Sequence, residues 1–131
     1  MSQIVSGKHI AEMLREDHAK MKKLFEAYHA TDDPAKKEDT TKKLSYLLRQ
    51  HMSVEEQLFF PALKKVMPVD RLGEIAERQL EEANLLIDKL QRLYIEIDRN
   101  EYDSLMNDLN SCVVKHIDSE EKLLLEVSWT S

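Results

Sequence analysis

Residues that favour turns and crosslinks are scarce in this chain. Its 131 residues include two glycines, three prolines and a single cysteine, Cys112. A protein built from many short strands needs more turn residues than this, so the shortage favours long helices. One cysteine cannot form an internal disulfide, which fits a reducing compartment, and we expect the protein to be cytoplasmic.

The sequence also lacks the charge patterns, apolar runs and motifs that are typical of several functional classes. The net charge is −6 and the charges are interspersed, so there is no basic stripe of the kind that binds nucleic acid. No apolar run is long enough to span a bilayer, and residues 1–8 do not have the pattern of a secretory signal. The absence of a nucleophile triad, a phosphate loop or zinc-finger spacing argues against a hydrolase or a nucleotide enzyme. We expect one small soluble domain over residues 1–131, without nucleic-acid or membrane partners, and the sequence points to no particular protein partner.

Four long segments repeat apolar residues at the helical period, and together they predict the fold. The predicted helices cover about 9–29, 35–66, 71–98 and 101–126. Short polar breaks make consecutive helices antiparallel neighbours, so the prediction is an all-α, up-down-up-down four-helix bundle. Pro61 should kink the second helix, because proline lacks an amide donor and clashes with the preceding turn. The apolar stripes place Leu58 and Val66 of the second helix, and Ile97 of the third, in the core.

One local motif occurs twice and carries the chemistry. The pattern H-x-x-x-E-E begins at His51 in the second predicted helix and at His116 in the fourth. A spacing of four residues puts each histidine and its first glutamate, Glu55 or Glu120, on one helix face, one turn apart. Imidazole nitrogen and carboxylate oxygen together suit iron, manganese or zinc.

The faces on which these residues lie strengthen the case for a metal. All four fall on the apolar stripes of their helices, and His18 occupies the same kind of position in the first helix. A lone histidine on an apolar face is usually a hydrogen-bonded core residue, but a buried carboxylate without a cation is costly. No lysine or arginine shares these faces with Glu55 or Glu120. We therefore predict a metal site in the core, formed by His18, His51, Glu55, His116 and Glu120.

The same residues resemble those of a known family. The pair Asp17-His18, the two H-x-x-x-E-E segments and the run Phe59-Phe60-Pro61 look like the hemerythrin-like, or HHE cation-binding, domain. The resemblance covers nearly the whole chain and implies a four-helix fold that holds iron. No catalytic residue and no organic cofactor is predicted.

This resemblance also implies roles for the predicted ligands. His18, His51 and His116 would be terminal ligands of a di-iron centre of the Fe–O–Fe type, and Glu55 and Glu120 would bridge its two metals. Such a protein binds, senses or reacts with O2, NO, peroxide or another small anionic ligand.

The third predicted helix departs from the pattern of this family. The family places one or two histidines there, whereas this chain has none between His51 and His116. Gln79 is the only polar residue near the middle of the inward stripe, and Glu81 and Glu82 lie towards its edges. Either one of these three supplies a ligand, or water fills the gap, or only one metal binds tightly. We expect one metal position to have fewer protein ligands, which favours sensing or peroxide and NO chemistry over reversible oxygen carriage.

Two other functions fit the same residues. One is storage or sensing of iron, or repair of iron centres, without catalysis. The other is a helical interaction module whose metal site has decayed. Zinc or manganese in place of iron would also suit these ligands, and both an enzyme and a binding protein are compatible with the sequence.

Overall fold

A computed structural model describes residues 7–66 and 71–126, and these residues form a bundle of four helices. The elements are α1 (Gly7–His29), α2 (Pro34–Val54), a π-helical segment (Glu55–Phe59), α3 (Phe60–Val66), α4 (Arg71–Gln91) and α5 (Arg99–Glu126). The second helix of the bundle is continuous through α2, the π segment and α3. Helix α1 packs on α2, and α4 packs on α5. The described ranges contain helices and no strand, which confirms the predicted all-α, up-down-up-down bundle.

Helix α2 begins with a local signal in the sequence. The side chain of Asp33 accepts a hydrogen bond from the Ala35 amide at 3.1 Å, and Pro34 occupies the first helical position. An aspartate cap satisfies an amide that has no partner inside the helix, and the fixed backbone angle of proline suits that position. These two residues fix where the second helix of the bundle starts.

The second helix widens just before Pro61. The amide of Phe60 donates to the carbonyl of Glu55, a π-helical bond that spans five residues instead of four. Pro61 has no amide hydrogen for the carbonyl one turn earlier, and a wider turn accommodates its ring. The irregularity that we expected at Pro61 therefore lies in the turn that precedes it.

This π segment shifts the face that the following residues present to the core. Phe59, Phe60 and Leu63 are buried, whereas Leu58 is 38% exposed and Val66 is 56% exposed. The prediction that Leu58 and Val66 lie in the core was wrong, because an extra residue in the wide turn moves the buried stripe one position along the chain.

The boundary between α4 and α5 also differs from the prediction. Helix α4 ends at Gln91 rather than near Asp98, and α5 begins at Arg99, where a turn was expected. The carbonyl of Asp98 accepts the first hydrogen bond of α5 from Tyr102, while its side chain accepts from the amide of Tyr94. Ile97 lies in this connection and is 80% exposed, so its predicted place in the core was wrong.

A buried polar network joins the first two helices to α5. The Tyr28 hydroxyl donates to Asp103 at 2.6 Å, and the Lys37 ammonium donates to the same carboxylate at 3.0 Å. Lys37 also lies 4.7 Å from the centre of the Tyr28 ring. Burial and the bond to Asp103 raise the pKa of Tyr28, so its hydroxyl stays protonated and continues to donate.

Within residues 7–66 and 71–126, no helix combines the length and the hydropathy that a membrane span requires.

Candidate metal centre

Three helices of the bundle each send a histidine into its interior. His18 lies at the middle of α1, His51 near the end of α2 and His116 in the second half of α5. All three are buried, as are the two glutamates one turn after His51 and His116. His51, Glu55 and Glu120 are 0% exposed, so bulk water does not reach them.

The Nε2 atoms of the three histidines converge on the two carboxylates. One oxygen of Glu120, Oε1, lies 2.8 Å from His18 Nε2 and 3.2 Å from His51 Nε2. Glu55 Oε1 also faces His51 Nε2, at 2.7 Å. The second oxygens of Glu55 and Glu120 each lie 3.1 Å from His116 Nε2. Each carboxylate therefore directs one oxygen towards His51 and the other towards His116.

The contacts among these atoms are short, yet most of them are not hydrogen bonds. His51 Nε2, His116 Nε2, both oxygens of Glu55 and Glu120 Oε2 are buried and have no hydrogen-bond partner among the described residues. Buried polar atoms normally have partners, so several of them directed at one small volume call for a bound group. One donor atom from each of His18, His51, His116 and Glu120 lies within 4.8 Å of the others, which a metal ion can span.

Within the described residues, the ion-pair partners of both glutamates are histidines. Glu55 pairs with His51 and His116, and Glu120 pairs with all three imidazoles. Two buried carboxylates without a lysine or arginine need another cation to be stable. The donor set of imidazole and carboxylate fits a first-row transition metal.

Protonation substitutes for that cation in the metal-free protein. Burial by itself would lower the pKa of His51, but the carboxylates of Asp17, Glu120 and Glu55 raise it well above its ordinary value. Burial opposes the charge on His116 too, and Glu120 with Glu55 raises its pKa to about 9. Burial and the charge of Glu120 raise the pKa of Glu55. A metal that binds here must displace protons from these groups.

Two further carboxylates contact the outer ring nitrogen, Nδ1, of two of the three histidines. Glu121 lies 2.8 Å from His18 Nδ1, and Asp17 lies 3.0 Å from His51 Nδ1. A hydrogen bond at Nδ1 fixes the ring and makes Nε2 a better ligand. We had not predicted either role from the sequence, although the second glutamate of the H-x-x-x-E-E motif was a visible signal for Glu121. In the first copy of the motif, Glu56 is exposed.

The predicted contributors from the third helix of the bundle, α4, do not join the cluster. Glu81 and Glu82 are exposed, and neither belongs to the converging set of donor atoms. Gln79 is half-buried, and its Nε2 donates to the Ser119 hydroxyl at 3.4 Å. The structure therefore brings together His18, His51, Glu55, His116 and Glu120, and places Gln79 beside α5.

Cys112 lies one turn before His116 on the same helix. Its thiol donates to the backbone carbonyl of Gln79 at 3.2 Å and lies 3.7 Å from a carboxylate oxygen of Glu82. Burial and the nearby charge of Glu82 raise the pKa of Cys112 to about 11, so the group is a thiol at neutral pH. It packs α4 against α5.

Comparison with known proteins shows that the chain matches the model of one family over the residues that form this cluster. The family model described as Hemerythrin HHE cation binding domain matches residues 9–127. That match spans the five converging side chains and most of the described bundle. No curated protein and no solved structure matches the chain.

Proposed function

This chain is a member of the hemerythrin HHE cation-binding domain family, and we propose that its buried cluster holds a non-haem di-iron centre that binds, senses or reacts with O2, NO or peroxide. The observation that carries the proposal is the convergence of three imidazole Nε2 atoms on two buried carboxylates that pair with no lysine or arginine among the described residues. Iron supplies the redox and ligand-binding chemistry that side chains lack. A cytoplasmic location of this one-domain protein is part of the proposal, because its lone cysteine is a free thiol.

The two carboxylates support a pair of metal positions. One position would be held by His18, His51 and the Oε1 atoms of Glu55 and Glu120, which lie close to those two imidazoles. The other would be held by His116 and the opposite oxygens of the same two glutamates. The second position has one imidazole where the first has two. This asymmetry supports the expectation that one metal has fewer protein ligands.

Burial decides which molecules can reach the site. The imidazoles and carboxylates are 0–3% exposed, so an incoming ligand must be small. Asp17 and Glu121 hold two of the rings through Nδ1, which orients Nε2 inward. A dry site with an incomplete ligand set suits a diatomic molecule, peroxide or azide.

The test is the metal content of the protein purified without oxygen. We expect bound iron, and an absorption change in the near-ultraviolet and visible range on exposure to air or NO. His51→Ala or His116→Ala should remove most of the iron, because each takes a ligand from a site that is short of one. His29→Ala is the matched control, because His29 is exposed at the end of α1.

Other outcomes correspond to other functions. Iron that a chelator removes quickly, without any spectral response to O2 or NO, would indicate iron storage or sensing without catalysis. Zinc or manganese in place of iron would change the assigned metal. A wild-type protein that takes up no metal would overturn the proposal and leave a helical interaction module.

The unequal ligand sets predict unequal release of the two irons. The ion beside His116 should leave first when a chelator is added, since it has one imidazole. Release should therefore be biphasic, with equal amplitudes. A single phase that accounts for both ions would contradict the asymmetry.

A further inference from the structure

The three histidines of the metal centre differ in what holds their outer nitrogen. His18 Nδ1 contacts Glu121 and His51 Nδ1 contacts Asp17. His116 Nδ1 is buried and has no hydrogen-bond partner among the described residues. Because Nε2 of His116 faces the carboxylates, a proton on Nδ1 must be donated elsewhere or remain unsatisfied. A buried donor without an acceptor is unfavourable, because it has lost its hydrogen bonds to water without gaining any in the protein.

Gln79 of α4 contacts α5 at two residues, one on either side of His116 in the sequence. Its backbone carbonyl accepts from Cys112, one turn before His116. Its side-chain amide contacts Ser119, one turn after His116. Positions 112, 116 and 119 follow one another along a single face of α5. The contacts of Gln79 therefore bracket His116.

The side-chain oxygen of Gln79 is itself unsatisfied. Gln79 Oε1 is buried and has no hydrogen-bond partner among the described residues. The bond from its Nε2 to Ser119 is 3.4 Å long, which is weak, so the amide can turn at little cost. A buried acceptor without a donor and a buried ring nitrogen without an acceptor thus belong to residues along the same stretch of the α4–α5 interface.

We propose that Gln79 is the positioning residue of His116, with its Oε1 accepting the hydrogen bond from His116 Nδ1 after a rotation of the amide. The helix that lacks the family histidine then supports a ligand instead of supplying one. The three rings have three supporting acceptors, from Glu121, Asp17 and Gln79. Gln79 is neutral, so it makes the His116 nitrogen a weaker donor to metal than a carboxylate would. Only the predicted effect of Gln79 on metal binding rests on the proposed function; the hydrogen bond itself does not.

The first test uses the metal-free protein and does not depend on iron. Nitrogen-15 and proton NMR of the histidine rings should show a His116 Nδ1 proton that is shifted downfield and exchanges slowly with water. In Gln79→Leu, which keeps the size and removes the acceptor, this signal should exchange rapidly or disappear. Gln79→Glu restores an acceptor and should restore the protected proton. Gln91→Leu, at the exposed end of α4, is the control.

The second test measures release of metal from the loaded protein. Loss of a supporting hydrogen bond typically costs 10–100-fold in metal affinity. Gln79→Leu should speed release of the faster-leaving ion by about that factor and leave the slower ion unchanged, and Gln79→Glu should reverse the effect. A failure to bind iron at all would overturn the proposed function but leave the NMR result to decide the role of Gln79.

Three results would overturn the role of Gln79. One is a protected His116 Nδ1 proton that persists in Gln79→Leu. Another is the absence of any protected Nδ1 proton in the wild type. The third is loss of a whole equivalent of metal in Gln79→Leu with the His116 signal unchanged, which would make Gln79 a direct ligand.

Discussion

Glu121 and Glu56 occupy the same place in the repeated H-x-x-x-E-E motif, yet their surroundings differ. Glu121 lies 2.8 Å from His18 Nδ1, whereas Glu56 is exposed. The first glutamate of each copy, Glu55 or Glu120, points into the cluster. The local spacing alone therefore does not define the role of the second glutamate; the neighbouring helix does.

This difference predicts the behaviour of two matched variants. Glu121→Ala removes the group that holds the His18 ring, so we expect metal release about 10–100-fold faster than in the wild type. Glu56→Ala changes the same residue type in the same motif position and should leave release unchanged. Chelator competition followed by absorbance measures both. Equal effects of the two variants would contradict a supporting role for Glu121.

The pKa of His116 predicts how the stability of the metal-free protein depends on pH. Burial lowers the pKa of His116, but Glu120 and Glu55 outweigh burial and raise this pKa to about 9 in the folded protein. The pKa of histidine in an unfolded chain is about 6.5. A raised pKa means that the folded protein binds the proton more tightly, so the stabilisation is complete below pH 6.5. It is lost as the pH rises through 9, and the loss should be on the order of 3 kcal/mol.

Urea denaturation of metal-free protein between pH 6 and pH 10 measures this loss. His116→Gln, which cannot be protonated in this range, should flatten much of the profile, while His29→Gln at the exposed end of α1 should not. A free energy of unfolding that rises over this range in the wild type would show that the proton is not bound by the folded cluster.

At the scale of elements, the π-helical segment Glu55–Phe59 determines which side chains of α3 enter the core. It begins at Glu55, so the same wide turn that carries a predicted ligand also shifts the buried stripe. Leu63 is 3% exposed, while Leu58 is 38% exposed. A regular helix through Pro61 would have placed the stripe one residue earlier. Wide turns of this kind are often found at functional sites.

Two leucine variants test this shift in register. Leu63→Ala removes a buried side chain and should lower the free energy of unfolding by about 2–5 kcal/mol. Leu58→Ala, the same substitution within the π segment, should cost less than about 1 kcal/mol because Leu58 is partly in solvent. Denaturant unfolding of both proteins in the same metal state is the measurement. A larger loss of stability in Leu58→Ala than in Leu63→Ala would contradict the shift and indicate a regular helix through Pro61.

At the scale of the whole molecule, the buried cluster of histidines and glutamates joins the two halves of the bundle. His18 and His51 come from the paired helices α1 and α2, whereas His116 and Glu120 come from α5, which packs on α4. A metal bound by these residues would therefore link both helix pairs through the core. At the loop end of the same interface, Asp103 of α5 binds Tyr28 and Lys37.

Such a link predicts that metal stabilises the fold. A ligand that binds only the folded chain adds about 2.7 kcal/mol at 100 times its dissociation constant, which corresponds to a melting temperature on the order of 10 °C higher. The increment should shrink in acid, because protons compete with metal for histidine and glutamate. Thermal unfolding with and without Fe²⁺ under nitrogen, at pH 5.5 and 7.5, gives both values.

The variant with both His51→Ala and His116→Ala is the control for this experiment. It lacks two imidazoles of the cluster, so its melting temperature should not respond to Fe²⁺. Equal melting temperatures of the wild type with and without metal at pH 7.5 would argue that no ion binds in the core.

The periodicity of the sequence was sufficient to predict the four helices and the pairing of histidine with glutamate. Residues four apart share a helix face whatever the helix packs against, so His51 with Glu55 and His116 with Glu120 could be placed together from spacing alone. Buried carboxylates without a nearby base then indicated a metal, because a core does not tolerate their charge unpaired. Those inferences depend only on local geometry and solvation.

What the tertiary structure decided is the register between helices and the end of each element. That Glu121 contacts His18, that Gln79 contacts Ser119 and that Lys37 is buried over Tyr28 depend on how far one helix slides along another. The exposure of Leu58 and Ile97 depends on a wide turn before Pro61 and on the hydrogen bonds of Asp98. A pattern of apolar residues repeats along each helix with almost the same period, so it fits several registers equally well. Packing and hydrogen bonds between elements select one of them.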